Sequence, residues 1–133
     1  MMSEENVELV RSIYERWERG DFTSGDWAYP DIEFAFADGP EPGSWTGIKN
    51  MADRYGEWLR GWRDFRGEPE QFIVVDETLI LVLVHNTGRG RTSGLQMDQR
   101  SVANLFEIHH GRVTRLVLYW DRDRALGDLG LKG

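Results

Sequence analysis

Asp98 and Arg100 stand two residues apart, and Asn104 follows at the same parity. On a β-strand, alternate side chains share a face, so a carboxylate, a guanidinium and a carboxamide would look the same way. Set into an apolar cavity, such a group could do proton-transfer chemistry. Asp98 would be the general base and Arg100 its electrostatic partner, with Tyr14 or Asn104 orienting the substrate. The same spacing also fits a structural or interface salt bridge, or a solvated strand face, because ion-pair networks produce similar constellations.

Other chemistries find little support. The chain has no cysteine, so disulfides, thiolate metal sites and a cysteine nucleophile are excluded. His109 and His110 are adjacent and point apart, while His85 has odd parity on its strand and is expected on the outer face. No two histidines share metal-ligand spacing with a carboxylate, so neither a metal nor another cofactor is expected. Gly88-Arg89-Gly90-Arg91 lacks the following Lys-Ser/Thr and the helix of a phosphate loop. A net charge of −7 argues against nucleic acid, which needs a basic face.

The 133 residues fit a single domain, 1–133, with 40% hydrophobic residues to build one core. The start Met1-Met2-Ser3-Glu4-Glu5 lacks the basic and apolar regions of a signal peptide, and no apolar run is long enough to span a membrane. A cytoplasmic location is the expectation.

Val7, Val10, Ile13, Tyr14 and Trp17 recur at three- and four-residue spacing, predicting a first helix capped by Ser3 and ended by Gly20. A short helical turn over Thr23–Tyr29 precedes a strand, Ile32–Phe36, whose Ile32, Phe34 and Phe36 share a face. Asp38–Gly43 reads as a loop, with two prolines and two glycines. Ile48, Met51, Tyr55, Trp58 and Trp62 predict a second helix over Gly47–Arg63, although Gly56 and Gly61 weaken it. Strands are then expected over Glu70–Val75, Thr78–Asn86, Leu95–Ile108 and Arg112–Tyr119. Their turns fall at Asp76-Glu77, Gly88–Gly94 and His109-His110-Gly111, and one helical turn is expected over Asp123–Leu131. Helices first and strands afterwards give an α+β fold, with helices on one face of a curved sheet. Leu79–Val84 is apolar on both faces, and no further element is expected to cover the outer one. That predicts a homodimer, with Leu81, Leu83 and His85 at or near its interface.

Several runs together resemble the SnoaL-like branch of the nuclear-transport-factor-2-like (NTF2-like) superfamily. They begin with Asn6–Arg11, Tyr14, Trp17 and Arg19-Gly20-Asp21. Tyr29–Phe34, Trp45–Ile48, Arg89–Gly94, Gly111-Arg112-Val113 and Tyr119–Leu126 follow in order, so the likeness covers about residues 4 to 126. The resemblance implies a cone of helices on a strongly curved, mixed, mostly antiparallel sheet enclosing an apolar pocket, commonly as a homodimer. Parity and the family together place Tyr14, Trp17, Phe34, Phe36, Tyr55, Trp58 and Trp62 on the inner faces. The strands would add Val82, Val84, Asp98, Arg100, Val102, Asn104, Phe106, Leu116, Leu118 and Trp120.

The family includes ketosteroid isomerases, polyketide cyclases, epoxide hydrolases and dehydratases, and does not fix a function. In the isomerase type an aspartate base lies near the end of the first strand, with a tyrosine and a protonated acid as oxyanion donors. Here that base position falls on Phe36, with Asp38 two residues later. Tyr14 is one residue out of register, and the acid position falls near Arg100. Epoxide hydrolases of this fold use Arg-x-Asp, whereas this chain has the reverse order, Asp98-x-Arg100. Two readings follow. One is a pocket for a small hydrophobic molecule, including a cofactor-free isomerase, cyclase or hydrolase. The other is a non-catalytic dimeric ligand-binding or interaction domain whose cone its own six tryptophans help to fill.

Overall fold

In the computed structural model, residues 2–19, 21, 26–38 and 42–131 are described. Helix α1, Met2–Glu18, lays the expected stripe on the sheet, and Val10, Ile13 and Tyr14 are buried. Asn6 is buried beside them and donates from Nδ2 to the Glu77 carbonyl at 2.8 Å, tying the helix to a strand turn. The Ser3 side chain, Gly20, residues 22–25 of the expected helical turn and residues 39–41 of the expected loop lie outside the described residues.

Strand β1 is Ala28–Phe36, so Tyr29 belongs to a strand rather than to the turn expected there. Its pairing slips between Ala28 and Glu33, where Pro30 has no N–H for a ladder. Strand β2, Gly43–Thr46, begins on the last residue of the expected loop and runs through residues assigned to no element; it pairs antiparallel with the end of β1. Gly47 then turns the chain into helix α2, Ile48–Leu59, at φ 97°, and donates its N–H to the Ile32 carbonyl at 2.8 Å. That backbone shape disfavours any residue with a Cβ.

The second helix therefore stops four residues before Arg63. Strand β3 runs Trp62–Val74, far upstream of the expected start at Glu70. Trp58 and Trp62 keep helical spacing in sequence, but Gly61 lies between them in a turn and β3 begins after it. The period-two pattern of β3 is broken by register slips at Arg63/Arg66 and Pro69/Gln71. Strand β4, Leu79–Gly90, continues past Asn86 through two glycines, and β5 is Gln96–His109. Strand β6, Arg112–Tyr119, matches its expected range. The β5–β6 turn is the expected hairpin: His110 and Gly111 both have positive φ, 52° and 76°.

The six strands form one sheet in the order β2-β1-β6-β5-β4-β3. Only β1 and β6 run parallel; the other pairs are antiparallel. This is the expected α+β architecture of helices on a curved, mixed, mostly antiparallel sheet. The main core lies under α1 and α2 and includes Phe34, Val82, Phe106 and Leu116.

The opposite sheet face corrects the sequence reading. Helix α3, Arg122–Asp128, is capped by Asp121, whose Oδ1 accepts from the Asp123 N–H at 3.0 Å. Ala125 joins Leu81, Leu83, Ala103, Leu105, Val117 and Tyr119 in a second buried cluster, flanked by Leu126 and Leu129. Leu81 is 0% exposed and Leu83 9% within one chain. The supposedly bare face that motivated a homodimer is thus buried by the chain's own residues. The sequence predicts one helical turn over Asp123–Leu131 but no element to cover this face, and α3 with its C-cap contributes Ala125, Leu126 and Leu129 to it.

Two bulges decide which side chains meet the cone. Val84 pairs with Val102 and Asn86 with Gln99, so β5 carries one residue more than β4 over that interval. Across β4, the β3 slip at Pro69/Gln71 lies opposite Val84 and Leu83. Glu70 projects from the β3 bulge and Arg100 from the β5 bulge, and they pair at 2.7 Å (Arg100 Nη1 to Glu70 Oε2). Arg122 on α3 also holds Glu70, at 3.1 Å, and donates to the Val84 and Val102 carbonyls at 3.3 and 3.5 Å.

Candidate functional site

The cone holds a small inner chamber of about 40 Å³ and, at its mouth, a vestibule of about 450 Å³. Phe36, Trp58 and Trp120 line both, so the two spaces adjoin. The chamber has room for roughly three waters, whereas the vestibule has the size of a small-molecule site.

Of the residues expected inside, Tyr14, Trp17, Phe36, Tyr55, Trp58, Val84, Val102, Asn104, Leu118 and Trp120 line the chamber. Trp62 lines only the vestibule. Phe34 and Phe106 line neither; both are 0% exposed and act as floor. Phe34 packs on Phe36 and Tyr55, with ring centroids 5.3 and 6.1 Å apart. Phe106 meets Tyr14 edge-on at 5.9 Å.

Asp98 and Arg100 are not brought together with Tyr14 and Asn104. Asp98, 61% exposed, pairs with His85 at 2.6 Å, and Arg100, 64% exposed, pairs with Glu70. The β5 bulge is the reason. Strict alternation from Asn104 back to Asp98 fails by one residue, so Gln99 lines the chamber in place of Asp98. His85 stands on the outer face, as its odd parity implied.

Polarity in the chamber is neutral. Asn104 donates from Nδ2 to the Tyr14 hydroxyl at 2.7 Å. Asn86 and Gln99 also line the space, and their carboxamides make no side-chain hydrogen bond among the described residues. Burial raises the Tyr14 phenol well above its ordinary value. The Asn104 hydrogen bond pulls it partly back, and proximity to Tyr55 adds to the rise. Burial pushes Tyr55 up as well. Both phenols therefore stay protonated at neutral pH, and no carboxylate or cationic side chain lines the chamber among the described residues.

Charge appears only at the mouth. Asp38 lies just past β1 and accepts from the Trp120 N–H at 2.6 Å and the Asp121 N–H at 3.2 Å. These bonds fix the end of β6, and with it the tryptophan shared by both spaces. On α2, Arg54 and Glu57 pair at 3.1 Å, and the Arg54 guanidinium lies 4.9 Å from the centre of the Trp45 ring. All three line the vestibule with Trp58, Trp62 and Trp120.

The sequence matches the SnoaL-like domain over residues 10–116, from the middle of α1 into β6. The chain belongs to the SnoaL-like family. No curated protein matches it. Solved structures share its fold across nearly the whole length. An NTF2-like protein of unknown function from Burkholderia pseudomallei superimposes with a TM-score of 0.76 at 18% identity, covering 92% of this chain and 95% of that one. A candidate polyketide cyclase from Xanthomonas campestris pv. campestris gives 0.78 at 17% identity, over 97% and 99%. A hypothetical protein from Catenulispora acidiphila, with a ketosteroid isomerase-like fold and solved with trimethylamine, gives 0.74 at 12%, over 94% of each chain. Within this SnoaL-like chain, no group of histidines and carboxylates among the described residues could hold a metal ion. No helix among them is long and apolar enough to cross a membrane.

Several lining residues escaped the sequence reading. Asn86 shares the parity of Val82 and Val84 and was within reach of the same argument. Phe65 and Gly67 fell in a segment assigned to no strand, and Trp45 in an unrecognised one. Arg54 and Glu57 lie off the apolar stripe of α2. That off-stripe position is what points them at the mouth.

Proposed function

We propose that this SnoaL-like protein binds a small, flat, hydrophobic molecule. Its body lies in the tryptophan-walled vestibule and its polar end reaches the neutral chamber. The observation that carries the reading is the shared wall: Phe36, Trp58 and Trp120 join a roomy aromatic recess to a polar chamber too small for anything but a ligand's tip. Aromatic rings favour stacked or edge-on apolar partners, and a few convergent polar groups fix orientation. A carbonyl or hydroxyl on the ligand would find amide donors and acceptors from Asn86, Gln99 and Asn104.

The deep cone is largely filled by its own rings, which meets half of the filled-cone alternative, yet the vestibule stays open. A cofactor-free isomerase or cyclase step would need a base. Asp38 is the carboxylate nearest that role, because it lines the vestibule beside Phe36 and Trp120. The site is complete within one chain, and a homodimer through the outer sheet face is a separate proposal.

Binding is tested with 2-naphthol and its deoxy analogue naphthalene. Saturable quenching of tryptophan fluorescence and a raised melting temperature are expected for both, with 2-naphthol the tighter. Asn104→Leu should abolish that preference while leaving naphthalene affinity intact. A panel of naphthols, flavonoids and steroids that moves neither signal would overturn the pocket reading in favour of a filled domain.

A further inference from the structure

The vestibule combines two features that select one sign of charge. Its walls are tryptophan faces, and its charged lining among the described residues is Asp38, Glu57 and Arg54, one more acid than base. Trp58 and Trp62 stand 6.0 Å apart, centre to centre, at 50°, so they form an open corner rather than a closed stack. Each is only half-buried. An aromatic face carries negative potential and attracts a cation, more strongly where water is excluded.

The protein already uses this property on its own side chain. Arg54 lies over the Trp45 face and pairs with Glu57. That arrangement makes Arg54 a poor receptor for a ligand anion, since its charge is engaged twice. Trp58, Trp62 and Trp120 line the same recess, with Asp38 at the end of β1 to face an incoming positive charge. Asp38 keeps lone pairs beyond the two used by the Trp120 and Asp121 N–H groups. The chain's net charge of −7 favours approach of a cation as well.

We infer that the vestibule recognises an organic cation, an alkylated ammonium group held in the tryptophan corner with Asp38 and Glu57 as counter-charges. This rests on the pocket reading above and narrows its ligand to a class: an apolar or aromatic body bearing a tertiary or quaternary amine. The flat body and the chamber's amides serve orientation, and the ammonium supplies selectivity over uncharged molecules of equal shape.

The test compares phenyltrimethylammonium with tert-butylbenzene, which has the same shape without the charge, and with benzoate, by tryptophan quenching and calorimetry. The cation should bind roughly five- to thirty-fold more tightly than its neutral isostere. That advantage should shrink as salt is raised. Glu57→Gln should weaken the cation more than it weakens tert-butylbenzene, so that the ratio of the two affinities falls. Arg54→Met removes a like charge and releases Glu57, so it should strengthen the cation. Glu57 is exposed and Arg54 half-buried on the surface of α2, and neither belongs to the core clusters. Equal affinity for cation and isostere would overturn the inference and leave the pocket reading standing. Tighter binding of benzoate, lost in Arg54→Met, would overturn it in favour of an anion site. No binding by any probe would overturn both.

Discussion

Raising the pH should unfold this protein through its buried phenols, by an amount that the two chamber tyrosines set. Tyr14 is 2% exposed, and burial lifts both it and Tyr55 above the ordinary value of 10.0. An acid whose pKa is raised by folding favours the folded state only while it is protonated in both states. Its stabilisation is therefore complete below pH 10 and is lost as the pH climbs from there toward the higher folded value. Over that window the unfolded chain releases a proton that the folded chain retains. The linkage slope approaches about 1.4 kcal/mol per pH unit for each such group. Integrated from about pH 9 to 11 around a pKa of about 10, each tyrosine contributes on the order of 1 kcal/mol, and the pair about twice that. Tyr119 moves the same way, raised by burial and by the Asp128 carboxylate. The assay is urea unfolding at half-unit pH steps, with phenolate absorbance followed in parallel. Tyr14→Phe and Tyr55→Phe should each remove one share of the alkaline loss, and their combination both. The reasoning fails if the double variant loses stability with pH as steeply as the parent. It fails too if both phenols ionise near pH 10 in protein that remains folded.

Three further outcomes can be checked by denaturation and binding. Phe106→Ala, at a fully buried ring beneath Tyr14, should cost about 3–5 kcal/mol of stability in urea unfolding, because the floor of the chamber cannot collapse without moving the sheet. Gly47→Ala should cost about 1–2 kcal/mol, since the residue must keep φ 97° to hold its bond to Ile32 while α2 begins. Leu83→Asp should lower the unfolding midpoint of the single chain, because the side chain lies in the cluster under α3; light scattering that shows dissociation with unchanged stability would place Leu83 at a dimer interface instead.

Much of the fold was written in periodicity that long-range pairing does not disturb. The α1 stripe, the apolar run of β4 and the β5–β6 hairpin each declare themselves within a dozen residues. β2 and the first half of β3 do not. Four residues carry too little alternation to stand out from a glycine-rich loop. In β3, two slips and the sequence Gly67-Glu68-Pro69 hide the period of two. The chamber's aromatic wall was legible for the same reason as α1, because Tyr14, Trp17, Tyr55 and Trp58 sit on helical stripes. The polar reading went wrong at one place. Parity was carried from Asn104 to Asp98 across an extra residue that only the β4 pairing reveals. A helical turn was legible at α3, but its cover of the outer sheet face was not, because that burial comes from a face assembled from distant strands, not from its own seven residues.

The extra residue in β5 makes its step against β4, rather than residue identity, the control on what the cone displays. Deleting one position between Gln99 and Val102 would close the bulge and change no face, because the Asn86–Gln99 and Val84–Val102 pairs that flank it already line the chamber. Inserting one residue into β4 between Val84 and Asn86 would close it the other way, and every residue of β5 from Arg100 back would turn over. Asp98 and Arg100 would rotate into the chamber while Gln99 and Met97 rotated out, with no side chain of β5 chemically altered. A lining of neutral amides would become a carboxylate beside a guanidinium. Glu70 would lose Arg100 from its ion pair, and Arg122 would be left holding it alone. A single-codon insertion in the neighbouring strand would do what several coordinated substitutions otherwise must.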